Sequence, residues 1–218
     1  MKGNRNDVRS TGSGLTGVNH QRRLVLNRIE ATYNKTISAL LELMEEKPFV
    51  DISVEAIARV SGISRVTFYK YFVDKEDLLW KSFQKVYLEV TEQVQRVDPV
   101  TLLSDGRPLT YYVFENARVH RSFYRNLFVY GMPYEFQCRF LNHIVGESFR
   151  THARLRESYS GTVPYIRINQ YLTGALFNLL RSLMEDDEDW DSMEMAQFFT
   201  KLAAPGILQM CNSMDQSG

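Results

Sequence analysis

Between Ser64 and Lys75 the chain crowds one arginine, two lysines, two small hydroxyls and two tyrosines around a pair of phenylalanines. Such side chains suit the chemistry of a nucleic-acid groove. A guanidinium such as Arg65 can bond one guanine edge through two parallel N–H groups. Thr67 offers a hydroxyl to a base and a methyl to a thymine, and Val66 offers apolar contact. The phenols of Tyr69 and Tyr71 and the ammonium of Lys70 suit phosphate oxygens. Lys75 falls in the first turn of a following helix, where a cation opposes the helix dipole, and a phosphate is the partner this suggests. Reaction chemistry has no comparable signal. The 218 residues contain no GxSxG, Walker A or HExxH pattern. His20, His120, His143 and His152 lack ligand spacing. A protein that is not an enzyme, with no cofactor and no metal site, is expected.

Groove chemistry needs a scaffold, and the flanking residues supply one. Ser53 is placed to cap a short helix that turns Val54, Ile57 and Ala58 inward. Ser61-Gly62-Ile63 forms a tight connection, with Gly62 free to take positive φ. Ser64 caps the next helix. At 100° per residue Phe68 and Phe72 share its buried face, Val66, Thr67 and Lys70 fall opposite, and Tyr69 and Tyr71 flank them. Helix, glycine turn and helix over residues 53–72 have helix-turn-helix spacing. An earlier helix begins near residue 28, with Ile29, Tyr33, Ile37, Leu40, Leu41 and Met44 as its stripe, and ends at Lys47-Pro48. Asp74 caps a fourth that runs to about Val97.

Helical periodicity continues over about 109–130, 134–157, 164–185 and 191–211, and no strand pattern appears. The expected fold is all-α: an N-terminal helix-turn-helix domain, residues 22–80, followed by a helical regulatory and dimerisation domain, residues 81–218. Residues 1–21 lack periodicity and read as a disordered basic tail, either a solvated leader or an arm for a minor groove. Residues 1–85 carry 14 Lys and Arg against 10 Asp and Glu, whereas 86–218 carry 12 against 16. Attraction for a polyanion is therefore concentrated at the N-terminal end. Cys138 and Cys211 form no framework, and no apolar run is long enough for a membrane span or secretory signal. A cytoplasmic protein with no membrane partner is expected.

Residues 63–79, Ile-Ser-Arg-Val-Thr-Phe-Tyr-Lys-Tyr-Phe-Val-Asp-Lys-Glu-Asp-Leu-Leu, resemble the signature of the tetracycline-repressor (TetR) family. That signature has a Thr-(Phe/Leu/Ile)-Tyr-x-(Tyr/His)-Phe core followed by a lysine, an acidic residue and a leucine pair. The likeness spans about residues 30–80, including residues 36–43 of the first helix and 52–59 leading into the turn. It implies that Arg65, Val66, Thr67, Tyr69 and Lys70, on the helix that Ser64 starts, contact bases or backbone of double-stranded DNA. Tyr71, Lys75, Ser53 and Val54 then stand at phosphate-side positions. Val66 departs from the pattern, since many members have glycine, alanine or proline there.

Residues 111–140 hold 10 of the chain's 27 aromatic residues. Two readings fit this cluster: packed core, or partial lining of an effector cavity. For the second, Phe114, His120, Tyr124, Phe128, Tyr171 and Asn178 are the candidates for a small-molecule site. Leu172, Ala175, Leu176, Leu179 and Leu183 form one stripe, and Phe198, Phe199 and Leu202 belong to the last helix. These eight either pack within the chain or meet a second copy. The resemblance implies the latter, a four-helix bundle between the partners of a homodimer. The functional expectation is a ligand-responsive regulator, a repressor, binding a palindromic operator as a dimer. The alternative is a constitutive or architectural DNA-binding dimer with no effector.

Overall fold

The computed structural model describes residues 13–96, 108–155, 165–186 and 189–215, and every regular element among them is helical. The N-terminal unit comprises α1 (Ser13–Glu46), a 3-10 turn (Phe49–Asp51), α2 (Val54–Ser61) and α3 (Arg65–Tyr71). A long connecting helix, α4 (Lys75–Arg96), leads into α5 (Thr110–Val119), α6 (Arg121–Phe128), α7 (Tyr134–Leu155), α8 (Tyr165–Glu185) and α9 (Ser192–Asp215).

Two boundaries differ from the sequence reading. Helix α1 starts at Ser13, so residues 13–21 are helical rather than an unstructured tail; residues 1–12 lie outside the described set. The single segment expected over 109–130 is two helices. His120 (φ −101°, ψ 38°) leaves the helical region between them, and its Nε2 lies 2.9 Å from a carboxylate oxygen of Glu89 on α4. Helix α9 also continues through Pro205.

One hydrophobic cluster runs through both halves. It passes from Ile37, Leu40 and Phe68 through Leu79 and Phe83 to Phe114, Phe128, Phe140 and Met184. The division expected at residue 80 falls within α4, whose two ends serve different neighbours. Leu78 and Leu79 are fully buried at the α1 end, and Phe83 packs on Phe136 and Phe140 of α7, with ring centroids 6.3 and 4.8 Å away. Two buried hydroxyls are satisfied locally: Thr36 donates to the Thr32 carbonyl and Ser82 to that of Leu78, each at 2.8 Å.

Candidate nucleic-acid interface

The site is built by short-range chemistry first. Ser53 Oγ accepts from the Ala56 N–H at 3.2 Å and starts α2. Gly62 ends it in the left-handed region, φ 68°, ψ 30°, while the Ile63 N–H returns to the Ala58 carbonyl at 2.9 Å. A Cβ at Gly62 would meet nothing within 4 Å. Backbone angle rather than space therefore selects glycine here. Ser64 Oγ then accepts from the Thr67 N–H at 3.0 Å and starts α3. Phe68 and Phe72, 0% and 1% exposed, fix the rotation of α3 against the core, and Tyr33 of α1 stacks on Phe72 at 5.3 Å.

The outward face of α3 carries Arg65, Val66, Tyr69 and Lys70, all exposed. Two expected members are less open than these. Thr67 Oγ1 lies 2.9 Å from Ser64 Oγ and is half-buried, so its hydroxyl is used in the cap. Tyr71 packs partly against the core beside Phe72. Ser53 and Ser64 serve as caps, and Val54 is partly buried.

Lys75 requires a larger correction. Its ammonium donates to the carbonyls of Phe49, Val50 and Ile52 at 3.3, 3.1 and 3.2 Å and lies 4.7 Å from the centroid of the Phe49 ring. All three ammonium protons have acceptors, so Lys75 clamps the turn between α1 and α2 rather than standing open to a phosphate. Where a phosphate was expected as its partner, the ammonium is held by a set of backbone carbonyls. Lys75→Met is expected to lower stability by about 1–3 kcal/mol. The salt dependence of DNA binding, measured well below the melting temperature, should keep its slope; a slope flatter by about one unit would restore the phosphate assignment.

Two features of the interface have little sequence signal. Arg65 pairs with Glu55 of α2 at 2.6 Å. Asn126 on α6, 2% exposed, accepts from the Phe49 N–H at 2.6 Å and donates to the carbonyls of Met44 and Lys47 at 2.7 and 3.1 Å. The turn over Phe49–Asp51 is therefore held by α4 through Lys75 and by α6 through Asn126. An asparagine among aromatic residues carries no motif; its partners lie up to 82 residues away.

The six effector candidates do not line one cavity. Phe114, Tyr124 and Phe128 are core, and Tyr124 donates to Asn116 Oδ1 at 2.7 Å. Burial raises the Tyr124 phenol well above its ordinary pKa. His120 faces Glu89, whereas Tyr171, 69% exposed, and the exposed Asn178 lie on the outer face of α8. An open cleft of about 410 Å³ is lined by other residues, among them Tyr111, Glu115, Arg118 and Trp190. There Glu115 accepts two bonds from Arg118 and one from Ser192, and these partners, the Arg118 bonds foremost, hold its carboxyl below the usual range.

The eight dimer candidates also divide. Leu176 and Phe199, each 8% exposed, are buried within the chain, and Leu172, Leu179 and Leu183 pack against the core. Ala175, Phe198 and Leu202 are exposed, Ala175 one turn from the exposed Tyr171. Among the described residues no group of three or more metal-ligating side chains gathers, and no helix is long and apolar enough to cross a membrane.

A glycine turn joining two capped helices, the second presenting polar and cationic side chains outward, defines a helix-turn-helix motif. The chain matches, over residues 37–80, the family model described as bacterial regulatory proteins, tetR family. It is 48% identical over 44 residues to the HTH-type transcriptional regulator EthR of Mycobacterium tuberculosis, a match that covers 20% of each chain. It thus spans one fifth of that relative's length. Two solved structures share the fold over most of the chain. NalD of Pseudomonas aeruginosa, the secondary repressor of the MexAB-OprM multidrug efflux pump, has TM-score 0.61 and 20% identity and covers 81% of this chain and 96% of its own. Thermus thermophilus FadR, a repressor in complex with lauroyl-CoA, has TM-score 0.61 and 17% identity and covers 79% and 93%.

Proposed function

We propose that the chain is a ligand-responsive repressor that binds a palindromic operator as a homodimer. The carrying observation is the outward face of α3, where Arg65, Val66, Tyr69 and Lys70 stand exposed on a helix locked by Gly62, Phe68 and Phe72. Arg65 reads a guanine edge, Val66 makes apolar contact with a base, and Tyr69 and Lys70 take phosphates. Exposed Tyr171, Ala175, Phe198 and Leu202 on α8 and α9 supply the surface for a second copy. Two recognition helices about 34 Å apart then meet successive major-groove faces. The repressor assignment follows the functions named for NalD and FadR.

Response to a ligand rests on α4, which is continuous from the Lys75 clamp to the aromatic contacts with α7. A ligand that shifts α4 changes the separation of the recognition helices, with a coupling of about 1–3 kcal/mol that DNA returns on ligand affinity. The second reading, a constitutive DNA-binding dimer, is favoured by the dense packing of Phe114, Tyr124 and Phe128. Selection of bound sites from randomised duplexes at moderate salt tests the main claim. A two-fold symmetric site is the expected product, and no binding by folded protein would overturn it. Lauroyl-CoA is a first probe of the ligand branch: release of DNA supports it, and a thermal-shift screen of apolar carboxylates and thioesters with no hit favours the constitutive form.

A further inference from the structure

Arg65 is not a free side chain waiting for a base. Its Nη1 lies 2.6 Å from Glu55 Oε1, and both side chains are more than half exposed. Glu55 is the second residue of α2 and Arg65 the first of α3, so the pair spans the two helices of the motif at their starting ends. An exposed pair of this kind contributes about 0–1 kcal/mol to stability, too little to account for a carboxylate placed on a surface that meets a polyanion. Left unpaired beside phosphates, Glu55 is repulsive. Paired, it occupies one edge of a planar guanidinium that has five N–H donors, and leaves other donors for a guanine.

We infer that Glu55 is a specificity-determining residue of the DNA site, acting as the positioning partner that aims Arg65 at one base. It restrains a long side chain whose rotamers otherwise cost entropy to select on binding. It also works against wrong sites. An arginine tethered to Glu55 is less free to swing to a neighbouring base or a phosphate when its guanine is absent, so a mismatch is compensated less. This inference rests on the assignment of Arg65 to base reading made above.

The test uses the full-length protein and the site recovered by duplex selection. Base preference is measured at every position for wild type, Glu55→Ala, Glu55→Asp, Arg65→Ala and the double variant. Arg65→Ala is expected to relax one position per half-site by about tenfold. Glu55→Ala should relax that same position by about three- to tenfold, while binding to unrelated DNA stays level or tightens because a negative charge is removed. Glu55→Asp should recover part of the preference. The double variant should bind the site more tightly than Arg65→Ala alone, since an unpaired carboxylate no longer faces DNA.

Unchanged preference in Glu55→Ala, with tighter binding everywhere, would overturn the inference and leave a surface ion pair. Altered preference at a different position would also overturn it, because Glu55 would then read a base itself. If Arg65→Ala relaxes no position while the site still binds, the assignment of Arg65 fails, an outcome distinct from failure of the Glu55 role.

Discussion

Asn126→Leu is expected to be among the most damaging substitutions in the chain. Leucine has nearly the shape of asparagine and none of its hydrogen-bonding capacity. The Phe49 N–H and the Met44 and Lys47 carbonyls would lose their partner together, at a site where the asparagine is 2% exposed. Each group left unsatisfied in the interior costs about 1–3 kcal/mol, so a loss of about 3–5 kcal/mol is expected. Domains of this size have about 5–15 kcal/mol in all. Urea denaturation of the purified protein measures it. A loss below about 1 kcal/mol would show that water replaces the amide and that α6 does not hold the turn. The DNA-binding unit should suffer beyond its own contacts, because the turn gripped by Asn126 leads directly into α2.

Phe83→Ala is expected to cost about 3–5 kcal/mol, the usual penalty for emptying a large buried aromatic site. Phe83 is 0% exposed and packs against Trp80, Tyr87, Phe136, Phe140 and His143, with ring centroids 4.8–6.3 Å away. It joins α4 to α7, so the cavity would lie where the two halves of the protein meet. Thermal unfolding followed by circular dichroism should show a melting temperature lower by about 5–10 °C or more at this chain length. Phe83→Leu should retain much of the lost stability. Equal damage from leucine and alanine would mean that ring geometry, and not burial, is the larger contribution.

Local chemistry was legible in the sequence, and distant partners were not. Ser53, Gly62 and Ser64 were readable because each acts on backbone within a few residues. Phe68 and Phe72 were readable from helical spacing, and the all-helical fold from the same periodicity. An ideal wheel assigns faces without knowing that Thr67 bonds Ser64 or that the Tyr71 ring packs partly against the core. The acceptors of Lys75 were not readable, since they lie 23–26 residues earlier. Asn126 was invisible for the same reason at greater range. Leu176 and Phe199 show the limit of a stripe: periodicity identifies an apolar face and does not say whether it meets the same chain or another.

Helix α1 has 34 residues, about 51 Å at 1.5 Å each, yet the core supports it only from about Tyr33 onward. Residues 21–31 are exposed throughout, including Val25, Leu26 and Ile29, which continue the face that carries Ile37 and Leu40. The buried half supplies the nucleus, so the outer half needs only propagation, and propagation constants for ordinary residues lie near unity. Each outer turn then forms or melts at almost no free-energy cost. The outer end of α1 is therefore expected to behave as a helix–coil boundary, which any surface that covers Val25 and Ile29 would shift outward at little thermodynamic expense.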